Sequence, residues 1–79
     1  MKIRVVYYAL LRQERGLSEE ILDCQAEIVE IFFDELKARH SFSLARDQVR
    51  VAVNGKVSPW GARLKEGDTV LLMPPVAGG

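Results

Sequence analysis

Ile3, Val5 and Tyr7 alternate with Lys2, Arg4, Val6 and Tyr8, the period of two that a β-strand imposes on its side chains. Ala9 to Arg15 then supplies good helix formers and closes on Gly16, which suits the left-handed position at a helix C-terminus. Ser18 to Cys24 reads as a second strand, but its alternation is blurred and leaves open which of Ile21 and Leu22 faces inward. Between Ile28 and His40 the period changes. Val29, Phe32, Phe33, Leu36 and His40 recur at helical spacing, with Glu30, Asp34, Glu35, Lys37 and Arg39 on the polar side. Acidic residues come early in this helix and basic ones late, which complements its dipole. Its start is undefined, because no Ser, Thr, Asp or Asn directly precedes Val29. Val49 to Val53 is a clean alternating strand, followed by the turn signal Asn54-Gly55 and a short return strand at Lys56-Val57-Ser58. Pro59 to Ala62 reads as a loop, Lys65-Glu66-Gly67-Asp68 as a second turn, and Thr69 to Met73 as the last strand.

Early and late strands separated by one long helix predict an α+β domain, a mixed sheet packed on that helix. The first and last strands are expected to be adjacent and central, since both are apolar and free of proline. This element order is that of the β-grasp, or ubiquitin-like, fold. The boundaries are drawn at residues 1–73 for the domain and 74–79 for an extended C-terminal tail.

Composition narrows the function. A chain of 79 residues forms one domain that buries only roughly 60–65% of its unfolded surface, which leaves little room for an enclosed catalytic pocket. Lys and Arg balance Asp and Glu at 11 each, so nothing suggests a basic footprint for nucleic acid or an anionic membrane. No segment has the length and apolarity of a membrane span. Cys24 is the only cysteine, so an internal disulfide is excluded, and with His40 it has no partners at metal-ligand spacing. Met1-Lys2-Ile3-Arg4 passes directly into patterned strand without a leader pattern, so the expected location is cytoplasmic.

The candidate chemistry lies at the end of the sequence. Pro74-Pro75 favours an extended arm, and Gly78 and Gly79, lacking a Cβ, suit a channel too narrow for other residues. A carboxylate carried on such an arm is a chemical handle. The competing reading is a frayed terminus or an engineered scar.

Four stretches in order decide between these readings: Tyr7-Tyr8-Ala9-Leu10-Leu11-Arg12, Ala52-Val53-Asn54-Gly55, Leu64-Lys65-Glu66-Gly67-Asp68-Thr69-Val70, and Pro74-Pro75-Val76-Ala77-Gly78-Gly79. With them the whole chain resembles the small (MoaD-like) subunits of molybdopterin synthase, members of the ubiquitin-like sulfur carriers. It departs from them at Ala26-Glu27-Ile28, where the family often opens the central helix with Thr or Pro-Thr. Related carriers of thiamin biosynthesis share the Gly-Gly end but usually lack the Pro-Pro pair.

The resemblance implies that an ATP-dependent adenylating and sulfurating enzyme activates Gly79, and that sulfur transfer leaves a C-terminal thiocarboxylate. It further implies that Pro74, Pro75, Val76, Ala77 and Gly78 thread a pocket of the synthase large subunit. There Gly79 would deliver sulfur to cyclic pyranopterin monophosphate. The chain itself would bind no cofactor and no metal, ATP being used by the activating enzyme. Tyr8, Arg12, Val57 and Met73 are implied as partner contacts. Alternation supports such a face, because Val6, Tyr8, Ala52, Leu71 and Met73 fall on the sheet side away from the helix and yet are apolar. Arg12 is equally consistent with an intramolecular ion pair. Trp60 is expected to cover the edge of the core, His40 to pack or cap, Cys24 to be a small core residue, and Lys2, Lys37, Lys56 and Lys65 to be solvated. A ubiquitin-like protein modifier using the same diglycine, a thiamin-type carrier, and an inert interaction module remain as alternatives.

Overall fold

Ile3, Val5 and Tyr7 are sealed from solvent while Lys2 and Arg4 between them are exposed, so the first polar–apolar alternation forms strand β1 (Lys2–Tyr7). The computed structural model describes residues 1–75. Helix α1 (Ala9–Arg15) follows and ends at Gly16, whose φ of 81° lies in the left-handed region and whose N–H donates to the Arg12 carbonyl. Then come β2 (Glu19–Asp23), α2 (Val29–His40), a 3-10 turn at Arg46–Gln48, β3 (Arg50–Val53), β4 (Lys56–Val57) and β5 (Thr69–Met73).

The five strands form one mixed sheet in the order β2-β1-β5-β3-β4. β1 and β5 pair in parallel, and the other neighbours are antiparallel. The first and last strands are therefore adjacent, with β5 at the centre, and the architecture is the expected β-grasp. One sheet face carries Ile3, Val5, Tyr7, Val51, Val70 and Leu72 into the core, where α2 contributes Val29, Phe32, Phe33 and Leu36. Fully burying each of the larger side chains is worth about 1.5–3 kcal/mol. Leu11, Phe42 and Leu64 complete this core, and Phe42 lies edge-on to Tyr7 at a centroid distance of 5.9 Å. Pairing settles the ambiguity in β2: Leu22 stands opposite Ile3 and packs on the core, and Ile21 stands opposite Arg4, facing outward.

The missing N-cap of α2 has a structural answer. No side chain caps the helix. Instead the Val29 N–H donates to the Ala62 carbonyl at 3.0 Å and the Glu30 N–H to the Trp60 carbonyl at 2.9 Å. The 59–62 loop thus satisfies donors that a Ser or Asp would otherwise serve. Trp60 is half-buried, its ring 5.3 Å from that of Phe33, so it does cover the core edge. At the other end of α2, one expectation is corrected. Lys37 is not a solvated lysine: its ammonium donates to the Phe42 carbonyl at 2.8 Å and the Leu44 carbonyl at 3.0 Å. It holds the turn that returns Phe42 to the core after the helix ends at His40.

Candidate functional site

The sheet face turned away from α2 is organised by register. Val6 pairs with Leu71, Leu71 with Ala52, and Ala52 with Val57, so these residues form one apolar row across four strands. A second row, at the C-terminal end of β5, sets Met73 opposite Arg50. Tyr8 continues the alternation of β1 in extended backbone and donates its N–H to the Leu72 carbonyl at 3.2 Å, which places it beside this second row. Tyr8 is 42% exposed and Val57 75% exposed. Val6, Leu71 and Met73 are half-covered, and Ala52, although on this face, is buried between its larger neighbours. The far end of the first row closes on Glu19, opposite Val6, whose carboxylate accepts a 2.8 Å hydrogen bond from Arg4 Nε.

Arg12 lies one helical turn beyond Tyr8 on α1, exposed, and among the described residues it has no carboxylate partner. Tyr8, Arg12 and Met73 thus gather at the end of β5 from which the chain proceeds through half-buried Pro74 and exposed Pro75. Val57 stands apart, at the sheet margin on β4. The expectations for Val76, Ala77, Gly78 and Gly79 lie outside the described residues. Arg50 is the residue that the sequence reading overlooked. Its phase with Ala52 along β3 was the available signal, and its meaning depends on pairing with Met73 on a strand distant in sequence.

The other titratable groups assemble elsewhere. The buried Tyr7 hydroxyl donates to Glu20 at 2.7 Å, and Arg15 clasps the same carboxylate through Nε at 2.7 Å and Nη2 at 2.8 Å. Burial, then the Glu20 hydrogen bond, pushes the Tyr7 phenol well up, and the Arg15 hydrogen bond is the main cause that pulls the Glu20 carboxyl down. This network ties α1 to β1 and β2 on the core side. His40 is half-buried against Phe42, and burial followed by the charge of Arg15 lowers its pKa. Cys24 is buried with its thiol pKa raised, chiefly by burial, so it is poorly suited to act as a thiolate. Among the described residues no group of His, Cys, Asp or Glu could hold a metal ion, and no helix is long and apolar enough to cross a membrane. What this arrangement offers, among the described residues, is a largely apolar sheet face that leads to Pro74 and Pro75.

A model of the ThiS family matches residues 5–79. Among solved structures, the chain superimposes on the putative molybdopterin converting factor, subunit 1, from Pyrococcus furiosus with a TM-score of 0.82 and 35% identity, covering 96% of this chain and 99% of that one. It matches SAMP1 from Haloferax volcanii over the full length of both chains with a TM-score of 0.79 and 24% identity, a likeness of fold. A chain of the BexX/CysO complex from Amycolatopsis orientalis matches with a TM-score of 0.69 and 25% identity, over 98% of this chain and 99% of that one. No curated protein sequence matches it.

Proposed function

Because the chain belongs to the ThiS family of ubiquitin-like sulfur carriers, we propose that it is the sulfur-carrying small subunit of molybdopterin synthase. The observation that carries this reading is the 35% identity, over nearly all of both chains, to the Pyrococcus furiosus protein described as a molybdopterin converting factor subunit. The Pro74-Pro75 pair, which thiamin-type carriers usually lack, supports the same choice within the family.

The chemistry begins with a poor electrophile, the Gly79 carboxylate. Attack of a carboxylate oxygen on the α-phosphorus of ATP, held by an activating enzyme, expels pyrophosphate and leaves an acyl adenylate. A persulfide sulfur then adds to the acyl carbon and AMP departs. A thiol cleaves the resulting acyl disulfide, which releases the thiocarboxylate and leaves the donor as a disulfide. Inside the synthase the thiocarboxylate sulfur displaces an oxygen substituent from a side-chain carbon of the pterin precursor, cyclic pyranopterin monophosphate, to form a thioester, and water cleaves its acyl–sulfur bond, so that the sulfur stays on the pterin and the carboxylate returns. Two deliveries supply the dithiolene. The residues of this chain contribute position: Tyr8, Val57 and Met73 seat the sheet face on a partner, Arg12 pairs with its rim, and residues 74–78 set the reach. Holding a reactant in place is itself a large rate contribution, with effective molarities on the order of 10⁵ M or more in well-oriented cases.

Intact-mass analysis of the protein purified from its host is the test. Replacement of one terminal oxygen by sulfur, dependent on Gly79 and followed by molybdopterin formation with the large subunit, is the expected result. Lysine conjugates without such replacement would instead identify a protein modifier, and sulfur delivery only to thiazole synthesis a thiamin-type carrier.

A further inference from the structure

The arginines of the chain are paired unevenly. Arg4, Arg15, Arg46 and Arg63 each face a carboxylate within salt-bridge distance. Arg12, Arg39 and Arg50 do not, among the described residues, and all three are exposed; Arg39 lies on α2, whereas Arg12 and Arg50 flank the open-face rows. Arg50 stands in register with Met73 on one side of the second row, and Arg12 lies a turn from Tyr8 on the other. The nearest acid on the open-face rows, Glu19, is at the far end of the first row and is already matched by Arg4. In a chain of zero formal net charge, the root of the tail is therefore locally cationic, with an apolar seat between two guanidinium groups.

We propose that Arg50 acts with Arg12 as an orienting clamp that recognises an acidic rim around the mouth of the partner's tail channel. The inference rests on the sulfur-carrier reading and adds a recognition residue and a partner chemistry to it. A tail can enter a narrow channel only when its root faces the opening. Apolar contact alone is non-directional, so Tyr8 and Met73 do not by themselves fix the approach. Two separated cations matched by carboxylates do, because guanidinium–carboxylate pairs are planar and geometrically selective. Charge matching of this kind acts mainly on association rate and register. The row geometry selects Arg50 rather than exposed Lys65, which lies in the turn before β5 at the opposite end of that strand from Met73.

The test is stopped-flow association of the full chain with the synthase large subunit of the same host, at salt concentrations from about 50 to 300 mM, a range over which exposed charges become screened. R50E is expected to slow association about tenfold or more at low salt and to flatten the salt dependence, as loss of steering does. R50K should retain most of the rate, and K65E should remain within about twofold of wild type. R50E with a wild-type rate and salt dependence overturns the proposal. So does self-association of the free chain that R50E abolishes while partner binding stays intact, since the cations would then serve a second copy. Gly79-dependent molybdopterin formation by the wild-type chain reports the underlying reading separately. A wild-type chain that fails to form product and to bind removes both.

Discussion

Asn54 and Asp68 join two turns that are distant in sequence: Asn54 Nδ2 donates to Asp68 Oδ1 at 2.8 Å. Asp68 is buried, and its second oxygen accepts the Lys65 N–H at 2.8 Å. Asn54 Oδ1 accepts the Thr69 N–H at 2.9 Å, and its own N–H donates to the Thr69 carbonyl at 2.8 Å. The Asn-Gly hairpin and the Gly-Asp turn before β5 are thus one hydrogen-bonded clasp. This is a physical reason for both motifs to occur in a single chain. Asn54 also sits at φ 53°, where Asn is better tolerated than most residues.

Asn54→Ala is expected to lower stability by about 1–3 kcal/mol, through the orphaned Asp68 oxygen and the strained φ. Asn54→Gly removes the bonds but relieves the backbone, so it should cost less. Asp68→Ala combined with Asn54→Ala should cost less than the sum, because the two share one network. Thermal unfolding of the wild type, the three single variants and the double variant checks this, at about 4–8 °C per kcal/mol for a domain of this size. Additive losses would show that the clasp is not a unit.

Tyr8→Asp or Met73→Glu should weaken binding to the large subunit by more than about 1.4 kcal/mol, which is tenfold. Stability should shift by only about 0.5 kcal/mol for Tyr8, as for most exposed positions, and by somewhat more for half-covered Met73. Calorimetric titration beside a melting curve separates these effects. Unchanged affinity would remove the docking role of the second row.

Acid sensitivity follows from two groups with the same sign and different windows. The His40 pKa is lowered on folding, mainly by burial, so the unfolded chain binds the proton first as pH falls below about 6.5, and stability declines from there. The Glu20 pKa is lowered chiefly by its hydrogen bond to Arg15. Its contribution is therefore intact above the unfolded carboxyl pKa of about 4.3 and is lost as pH falls through the lower folded value. His40→Gln should flatten the stability profile between about pH 7 and 5, and Glu20→Gln should flatten only the more acidic limb. Denaturant titrations at fixed pH measure both.

Deleting Gly79 should abolish thiocarboxylate formation and molybdopterin production while the fold and most partner affinity persist. One residue is about 3.3–3.6 Å of reach, and reacting atoms must come within about 3–3.5 Å. Gly78→Val should fail as well if the channel admits no side chain. Cys24→Ala, by contrast, should leave sulfur loading unchanged, because its thiol is buried and disfavoured as a thiolate. Normal product from the shortened chain would end the carrier reading.

How far the sequence reveals this molecule depends on whether the deciding contact is local. Ile3–Tyr7 and Val29–Leu36 are legible because each buries one clear face of its own element. β2 is not, since it is an edge strand in which outward Ile21 lies among acids and only pairing with β1 assigns its faces. The start of α2 is invisible for a similar reason: its cap is the backbone of the 59–62 loop, which has no residue-type signature. Lys37 and Arg50 look alike as surface cations. One is committed to two carbonyls, and the other stands across from Met73, and neither fact can be read without the tertiary pairing.

The placement of β5 has a mechanical consequence. The segment leading to residues 76–79 emerges from a strand that is laddered on both sides, to β1 in parallel and to β3 in antiparallel sense. A pull along the tail therefore loads both ladders lengthwise, so that their hydrogen bonds must give way together. On an edge strand the same pull could peel bonds away singly. Under the proposed function, an end drawn into one enzyme and withdrawn again for the next would pull on a strand anchored along both of its edges.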